Sequence, residues 1–357
     1  MALKPKRTLG AGLFLLLALA AAGALLIAYT APYFNPARHR VVMFFGLYYV
    51  PIVLLNVFLL VVAVFKYRRI LLIPVVALLP TLLLADRFVK FGHEDAAATD
   101  GAQLRVLTYN LGRYNAGSRK VTSNESVAGI RQFLAGQDAD IVCLQEFSVA
   151  DTAALAPYLP DYPYLARHLF KGNHYFGNIT LSKYPIRRTE ALTFPESRNL
   201  SLITDIDVEG RTLRVYNCHL ESSSISFTGV LKRLFRKNHF ADEVMQVHER
   251  LREATRRRTE QVSALLASEA ASGYPNLVCG DFNDNPLSYT YRQLMQTKKD
   301  SFVEAGAGFS GTYAVLWPML RIDYVLIPQD FTATRHQTDR IPWSDHYPVT
   351  TYIYFDK

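Results

Sequence analysis

Two kinds of hydrophobic pattern meet near residue 100. Before that point apolar residues run almost unbroken through three stretches, Leu9 to Ala31, Val41 to Phe65 and Ile70 to Ala85. A bilayer core needs about 20 apolar residues, so the first two are long enough to cross and the third is a little short. Pro51 and Pro74 do not forbid membrane helices, because neighbouring helices can satisfy the freed carbonyls. A cleaved signal peptide would explain the first stretch, with its basic start and Ala20-Ala21-Ala22, but two more apolar stretches follow at once. Residues 1–92 therefore read as a membrane region with three transmembrane helices, at about 9–31, 41–65 and 70–86.

Beyond it the pattern changes to that of a soluble domain. Residues 93–102 are polar and form a tether, and 103–357 alternate short apolar runs with turn residues. Strands are expected at 103–111, 140–147, 164–170, 178–182, 200–208, 212–220, 321–328, 331–337 and 349–355, with one more apolar run ending at Cys279. Glu209-Gly210 reads as a hairpin turn. Thr122-Ser123-Asn124-Glu125 has capping-box form and opens a helix through Leu134; further helices fit 254–272 and 288–296. Many strands with a few interposed helices predict two packed sheets covered by helices. Within 229–237, Val230, Leu231, Leu234 and Phe235 recur at helical spacing between Lys232, Arg233, Arg236 and Lys237. Such a basic amphipathic helix suits an anionic lipid surface, or else packs its apolar face on the domain.

Charge sharpens this division. The net +8 of the 357-residue chain is uneven: residues 1–93 carry ten Lys/Arg and one Asp, leaving 29 basic and 30 acidic residues for the rest. The basic balance is thus a property of the membrane region and does not mark the soluble domain as a nucleic-acid binder. Lys4, Lys6, Arg7, Lys66, Arg68 and Arg69 lie on one side of the expected spans; Arg38, Arg40, Arg87 and Lys90 lie on the other. Six against four places the N-terminus in the cytoplasm and the soluble domain outside it. Cys143, Cys218 and Cys279, an odd set without paired spacing, read as buried free thiols, not as a disulfide framework or a zinc site.

Candidate chemistry gathers where predicted strands end. Cys279-Gly280-Asp281-Phe282-Asn283-Asp284 follows an apolar run and turns at Asn285-Pro286, so Asp281 and Asn283 sit on a turn at a sheet edge. Asn110, Glu146, His219, Asp323 and the pair Asp345-His346 occupy other strand ends. Each alone is an ordinary turn former or flanking charge. Together they form a set in which oxygen ligands such as Glu146 and the Asn110 amide suit Mg²⁺ or Mn²⁺. A histidine such as His346, oriented by a carboxylate such as Asp323, suits proton chemistry beside a phosphate.

Thr108-Tyr109-Asn110, Leu144-Gln145-Glu146, Asn217-Cys218-His219-Leu220, Gly280-Asp281-Phe282-Asn283, Ile322-Asp323-Tyr324 and Ser344-Asp345-His346 resemble, in order and near spacing, the six signature blocks of the endonuclease/exonuclease/phosphatase superfamily. The resemblance covers roughly residues 103 to 355. It implies an α/β fold, the four-layer α-β-β-α sandwich of deoxyribonuclease-I type, and Mg²⁺- or Mn²⁺-dependent phosphoester hydrolysis. By analogy Asn110 and Glu146 bind metal with Asp345 beside it, Asp281 orients or deprotonates the attacking water, and His219 and Asn283 contact phosphate oxygens. His346, held by Asp323, stabilises the pentavalent state or acts as acid/base partner, and Asn178 lines the substrate site. Gly112 departs from the acidic or polar residue usual at that place in apurinic-site nucleases, and the Leu-Gln-Glu and Asn-x-His-Leu blocks look nearer to the sphingomyelinase and phosphoinositide-phosphatase branches. A multi-pass, membrane-anchored phosphodiesterase or phosphatase acting on a phospholipid or other membrane-proximal phosphoester is the expectation. The alternatives are an extracytoplasmic nuclease, with nucleic acid as substrate, and a catalytically silent membrane binding module. Oligomeric state is left open.

Overall fold

The structure, a computed structural model, describes residues 9–91, 102–117, 120–151, 161–223, 225 and 240–355. The basic amphipathic segment 229–237 and the tether, Ala102 apart, lie outside the described residues. The chain forms two compact units, Met1–Asp86 with Leu287–Arg292, and Arg87–Pro286 with Gln293–Lys357.

The first unit corrects the expectation of three membrane-length helices. Helix α1 (Leu9–Thr30) runs on to Tyr33 and is the one continuous helix, among the described residues, long and apolar enough to cross a bilayer. The second apolar stretch is a pair, α2 (Arg40–Leu47) and α3 (Tyr49–Phe65), bent by 64°. Pro51 places the break: its ring clashes with the carbonyl four residues back, at Leu47, and its nitrogen has no proton to offer there. The third stretch gives only α4 (Leu72–Leu82), about 16 Å long at 1.5 Å per residue against a hydrocarbon core of about 30 Å. Side-chain hydrogen bonds tie these helices together: Asn56, fully buried, donates to Ala21 O at 3.0 Å, and the Tyr29 hydroxyl donates to Ala77 O at 2.8 Å. Large apolar side chains, including Leu13, Leu16, Phe58, Phe65, Leu72 and Leu83, remain exposed on this unit.

The second unit is an α/β sandwich. Its elements are β1 (Val89–Lys90), β2 (Ala102–Asn110), α5 (Ser123–Gln137), β3 (Ile141–Val149), β4 (Tyr164–Phe170), β5 (Tyr175–Ser182), β6 (Ile186–Thr193), β7 (Leu200–Val208) and β8 (Arg211–His219). They continue with α6 (Phe240–Ala270), β9 (Asn276–Asp281), β10 (Lys298–Asp300), α8 (Ser301–Ala305), β11 (Gly308–Phe309), β12 (Asp323–Pro328), β13 (Thr332–Thr338) and β14 (Val349–Phe355); α7 (Tyr289–Leu294), between β9 and β10, belongs for the most part to the first unit. Two six-stranded sheets result, ordered β13-β14-β2-β3-β5-β4 and β10-β12-β9-β8-β7-β6. Their inner faces share one core, with Leu104, Val106, Ile141 and Val349 from the first meeting Val215, Leu277, Cys279 and Val325 from the second. Outside the first sheet, Ile130 and Leu134 of α5 pack on Leu107, Tyr109 and Val142. Outside the second, Val262 and Leu265 of α6 are buried and Ser268 shares a hydrogen bond with the Tyr216 hydroxyl.

Local sequence explains several details. The capping box at Thr122 is formed in both directions, with Glu125 N donating to Thr122 Oγ1 and Thr122 N donating to Glu125 Oε2. Glu209 and Gly210, both at positive φ, close the β7–β8 hairpin with Val208 opposite Arg211. Strand β6 was not expected: Arg187, Arg188, Thr189 and Glu190 are exposed because it is an edge strand, where charges discourage pairing with another chain.

Candidate active site

Each sheet contains one parallel pair at its centre, β2 with β3 and β8 with β9, and both pairs end at the candidate residues. Asn110 lies opposite Gln145 and His219 opposite Asp281. Antiparallel β12 begins there, Asp323 opposite Asp281, and Asp345-His346 lead into β14. Strand β3 is irregular between Leu144 and Phe147, and Glu146 there has φ +50°. A bulge of this kind re-aims a side chain; here it is the Glu146 carboxylate, which is partly exposed.

Asp281 is the hub. Its carboxylate, 1 % exposed, accepts from Asn110 Nδ2 at 2.8 Å, from Asn283 Nδ2 at 3.1 Å and from Asn283 N at 2.7 Å. His346 Nε2 and His219 Nε2 each lie 3.9 Å from Asp281 Oδ2. His346 Nδ1 pairs with Asp323 Oδ2 at 2.9 Å. Ligand-type atoms of Asp281, Asp323 and His346 fall within 4.8 Å of one another. Burial, and then the neighbouring Asp323 carboxylate, push Asp281 up to about 7. Burial works against a charged His346, yet Asp323, Asp281 and Asp345 together hold it well above the usual imidazole value. Burial and the charge on His346 push His219 down to about 3, so His219 is neutral. The two histidines therefore differ in charge at neutral pH.

Glu146 has a different environment. Its nearest charged or titratable partners are Arg113 Nε at 3.5 Å and the neutral His219 at 3.6 Å. A carboxylate with only distant compensation, beside Asp345, whose own acidity burial weakens, fits a divalent cation. The Asn110 amide donates through Nδ2 to Asp281 Oδ2 at 2.8 Å and accepts at Oδ1 from Gly112 N at 2.9 Å. Asn178 is buried, and its amide nitrogen donates to Asn217 O at 3.0 Å and Leu200 O at 3.4 Å. It belongs to an inter-sheet network in which Gln145 Nε2 donates to Asn217 Oδ1 at 2.8 Å and Asn217 Nδ2 donates to Ile179 O at 2.8 Å.

Three features were not foreseen from the sequence. Thr312 Oγ1 accepts from the amides of Ile322 and Asp323 and fixes the start of β12. The Tyr313 ring stands edge-on to His346 at 5.3 Å. Arg113 reaches the rim beside Glu146; its immediate succession to Gly112 in the Asn110 block was the signal available. Gly112 itself is required by geometry: it has φ +54°, and a Cβ there would lie 2.3 Å from Asp345 Oδ1.

The model of the endonuclease/exonuclease/phosphatase family matches residues 107–346, and that of a domain of unknown function matches 11–88. The chain is 27% identical over 277 residues to the protein YbhP of Escherichia coli, covering 72% of this chain and 98% of YbhP. Among solved structures it resembles an endonuclease/exonuclease/phosphatase from Beutenbergia cavernae, with TM-score 0.53, 19% identity, and coverage of 71% of this chain and 72% of that one. It also resembles the human Nocturnin catalytic domain with bound sulfate anion, with TM-score 0.51, 17% identity, and coverage of 71% and 94%.

Proposed function

The chain belongs to the endonuclease/exonuclease/phosphatase family, and from that premise we propose that it is a membrane-anchored phosphoester hydrolase dependent on Mg²⁺ or Mn²⁺. The observation that carries the hydrolytic reading is the convergence of Asn110, Glu146, His219, Asp281, Asp323 and His346 on one edge of the sandwich. Glu146, Asp345 and the Asn110 amide would hold the divalent ion, which when bound polarises a phosphoryl oxygen.

This chain's own residues supply the remaining steps. Asp281, with affinity for a proton poised near neutrality, accepts the proton of an attacking water on Oδ2. Asn110 and Asn283 hold that carboxylate in one orientation. His346, protonated and oriented by Asp323, presents Nε2–H to charge developing on the phosphate. His219 Nε2 is buried with no hydrogen-bond partner among the described residues and offers a neutral contact to a phosphate oxygen.

The apolar surface of the first unit supports anchoring, since a soluble unit rarely leaves so much exposed. Charge bias in the sequence supports a cytoplasmic N-terminus and an extracytoplasmic catalytic unit, with α1 crossing and α2 to α4 contributing further spans or a re-entrant segment. Anchoring favours a phospholipid or other membrane-proximal phosphoester as substrate, and segment 229–237 would touch the anionic lipid surface. The test uses the full chain in detergent, stripped of metal and given Mg²⁺ or Mn²⁺. Release is followed from phospholipid vesicles, a soluble phosphodiester, a phosphomonoester and plasmid DNA, with His346→Ala as control. Metal-dependent cleavage of the vesicles above the rest, lost in His346→Ala, is expected. Preference for plasmid DNA would make the protein a nuclease, and folded protein that neither binds metal nor turns over any substrate would refute the hydrolase.

A further inference from the structure

Arg113 occupies an unusual backbone. Gly112, Arg113 and Tyr114 are consecutive residues at φ +54°, +55° and +62°. Glycine adopts this region freely, whereas two side-chain-bearing residues in succession do so only when their surroundings impose it. The surroundings are the site itself. Leu111 N donates to Gln145 O at 3.0 Å, Gly112 N to Asn110 Oδ1 at 2.9 Å, and Asp345 N to Asn115 O at 3.2 Å. This loop is thus clamped between the Glu146 strand and the Asp345 turn. What it delivers is a guanidinium 4.1 Å from the centre of the Phe176 ring and 3.5 Å from Glu146 Oε2, with 58% of the side chain still exposed. A structural ion pair would be closer and more covered; this cation is stacked, aimed and open on one side.

We propose that Arg113 is a substrate-phosphate ligand: it lies beside Glu146 and grips a non-bridging phosphate oxygen when Glu146 holds a divalent ion. The proposal rests on the hydrolase reading above. It follows from charge balance at Glu146, which cannot fully pair with two cations, and from the planar fork of arginine, which matches phosphate.

Two readouts on the full chain test it. Mn²⁺ affinity of the metal-free protein is measured by calorimetric titration, and kcat/KM on a soluble phosphoester and on anionic phospholipid vesicles. Arg113→Asn, whose side chain tolerates this backbone, and Arg113→Met both remove the cation. Each should tighten Mn²⁺ binding by about threefold, since a competing cation has gone, and lower kcat/KM by about tenfold to a hundredfold. Arg113→Lys should leave Mn²⁺ affinity near wild type and give an intermediate kcat/KM. Opposite signs are the signature, because damage to the loop alone would weaken both. A parallel fall in affinity and turnover, or unchanged kcat/KM in an active enzyme, overturns the proposal. A wild type inactive on every phosphoester would bring down the hydrolase reading, and unchanged Mn²⁺ affinity in both variants would independently remove the competition at Glu146.

Discussion

Replacing Asp323 by asparagine should separate activity from stability. Asp323 Oδ2 and His346 Nδ1 are 2.9 Å apart, with both side chains buried. At an effective dielectric near 20, charges at that distance attract by roughly 4–6 kcal/mol before desolvation. The net value of a hydrogen bond to a charged group is about 1.5–3 kcal/mol. If that interaction strengthens the imidazolium in the transition state, its loss lowers kcat by about 10- to 150-fold. Stability should move far less. His346 can release its proton instead of remaining an unpaired buried charge, and Asp281 loses the carboxylate neighbour that, after burial, raises it. The sign follows from linkage. Asp281 has a folded value of about 7 against an ordinary 3.8, so its contribution in the metal-free protein is complete below 3.8 and is lost as pH rises through 7. Asp323→Asn shortens that window and recovers stability near neutrality, offsetting the lost pair. Steady-state kinetics at saturating metal, alongside urea unfolding of the metal-free protein, should show a large fall in kcat with stability changed by less than about 1 kcal/mol. A variant that keeps more than half of wild-type kcat, or whose activity falls only as its folded fraction falls, would refute the reasoning.

Other expectations concern the scaffold. Lys298→Met strands Glu269, which is buried against Lys298, and should cost roughly 3–5 kcal/mol in chemical denaturation. With Lys298 gone, burial raises the Glu269 carboxyl further, so the variant should be most stable below about pH 4.5 and weaken as pH rises above it. His336, buried against Ser301 and Thr351 and pushed down to about 3, stays neutral when folded. Its contribution is present above 6.5 and lost as pH falls toward 3; His336→Asn should flatten the acid limb of the stability curve by up to about 1.4 kcal/mol per pH unit. Gly280 has φ +125°, and a Cβ there would sit 2.0 Å from Cys218 O, so Gly280→Ala should lose about 3 kcal/mol or more, read as a lowered urea midpoint.

How much was visible in the sequence depended on whether the signal was local. Strands 164–170, 200–208 and 349–355 were legible to the residue because apolar runs and turn residues mark their ends. The helix expected at 254–272 begins much earlier, at Phe240: Phe240, Val244, Val247 and Leu251 recur at helical spacing between charged residues, and the Arg252–Glu249 pair lies on the same early turns. The bend at Tyr48 has no mark in the apolar pattern, which runs almost unbroken from Val41 to Phe65 and is compatible with a continuous span; it follows from Pro51, whose ring meets the carbonyl of Leu47. Arg113 was missed because its neighbours are non-local, since Glu146 and Phe176 come from two other strands.

The site is a consequence of topology as much as of motif. Four catalytic-type residues sit at the ends of two parallel pairs, and a parallel pair brings like ends together, so Asn110 and Glu146 fall at one edge of one sheet and His219 and Asp281 at one edge of the other. The strands flanking each pair are antiparallel: β12 starts where β9 ends, and β14 starts beside the end of β2. Asp323 and His346 therefore enter the same edge from strand beginnings, which is why their blocks precede apolar runs while the earlier four follow or close them. The corresponding orders β14-β2-β3-β5 and β12-β9-β8-β7 repeat this arrangement in two sheets whose sequences show no repeat. Stacking the sheets through one core then sets Asn110 Nδ2 2.8 Å from Asp281 Oδ2, across 171 residues of chain. That contact couples the metal-binding candidates of the first sheet to the proposed proton acceptor of the second, so loss of sheet-to-sheet packing should disable the site even where both sheets persist.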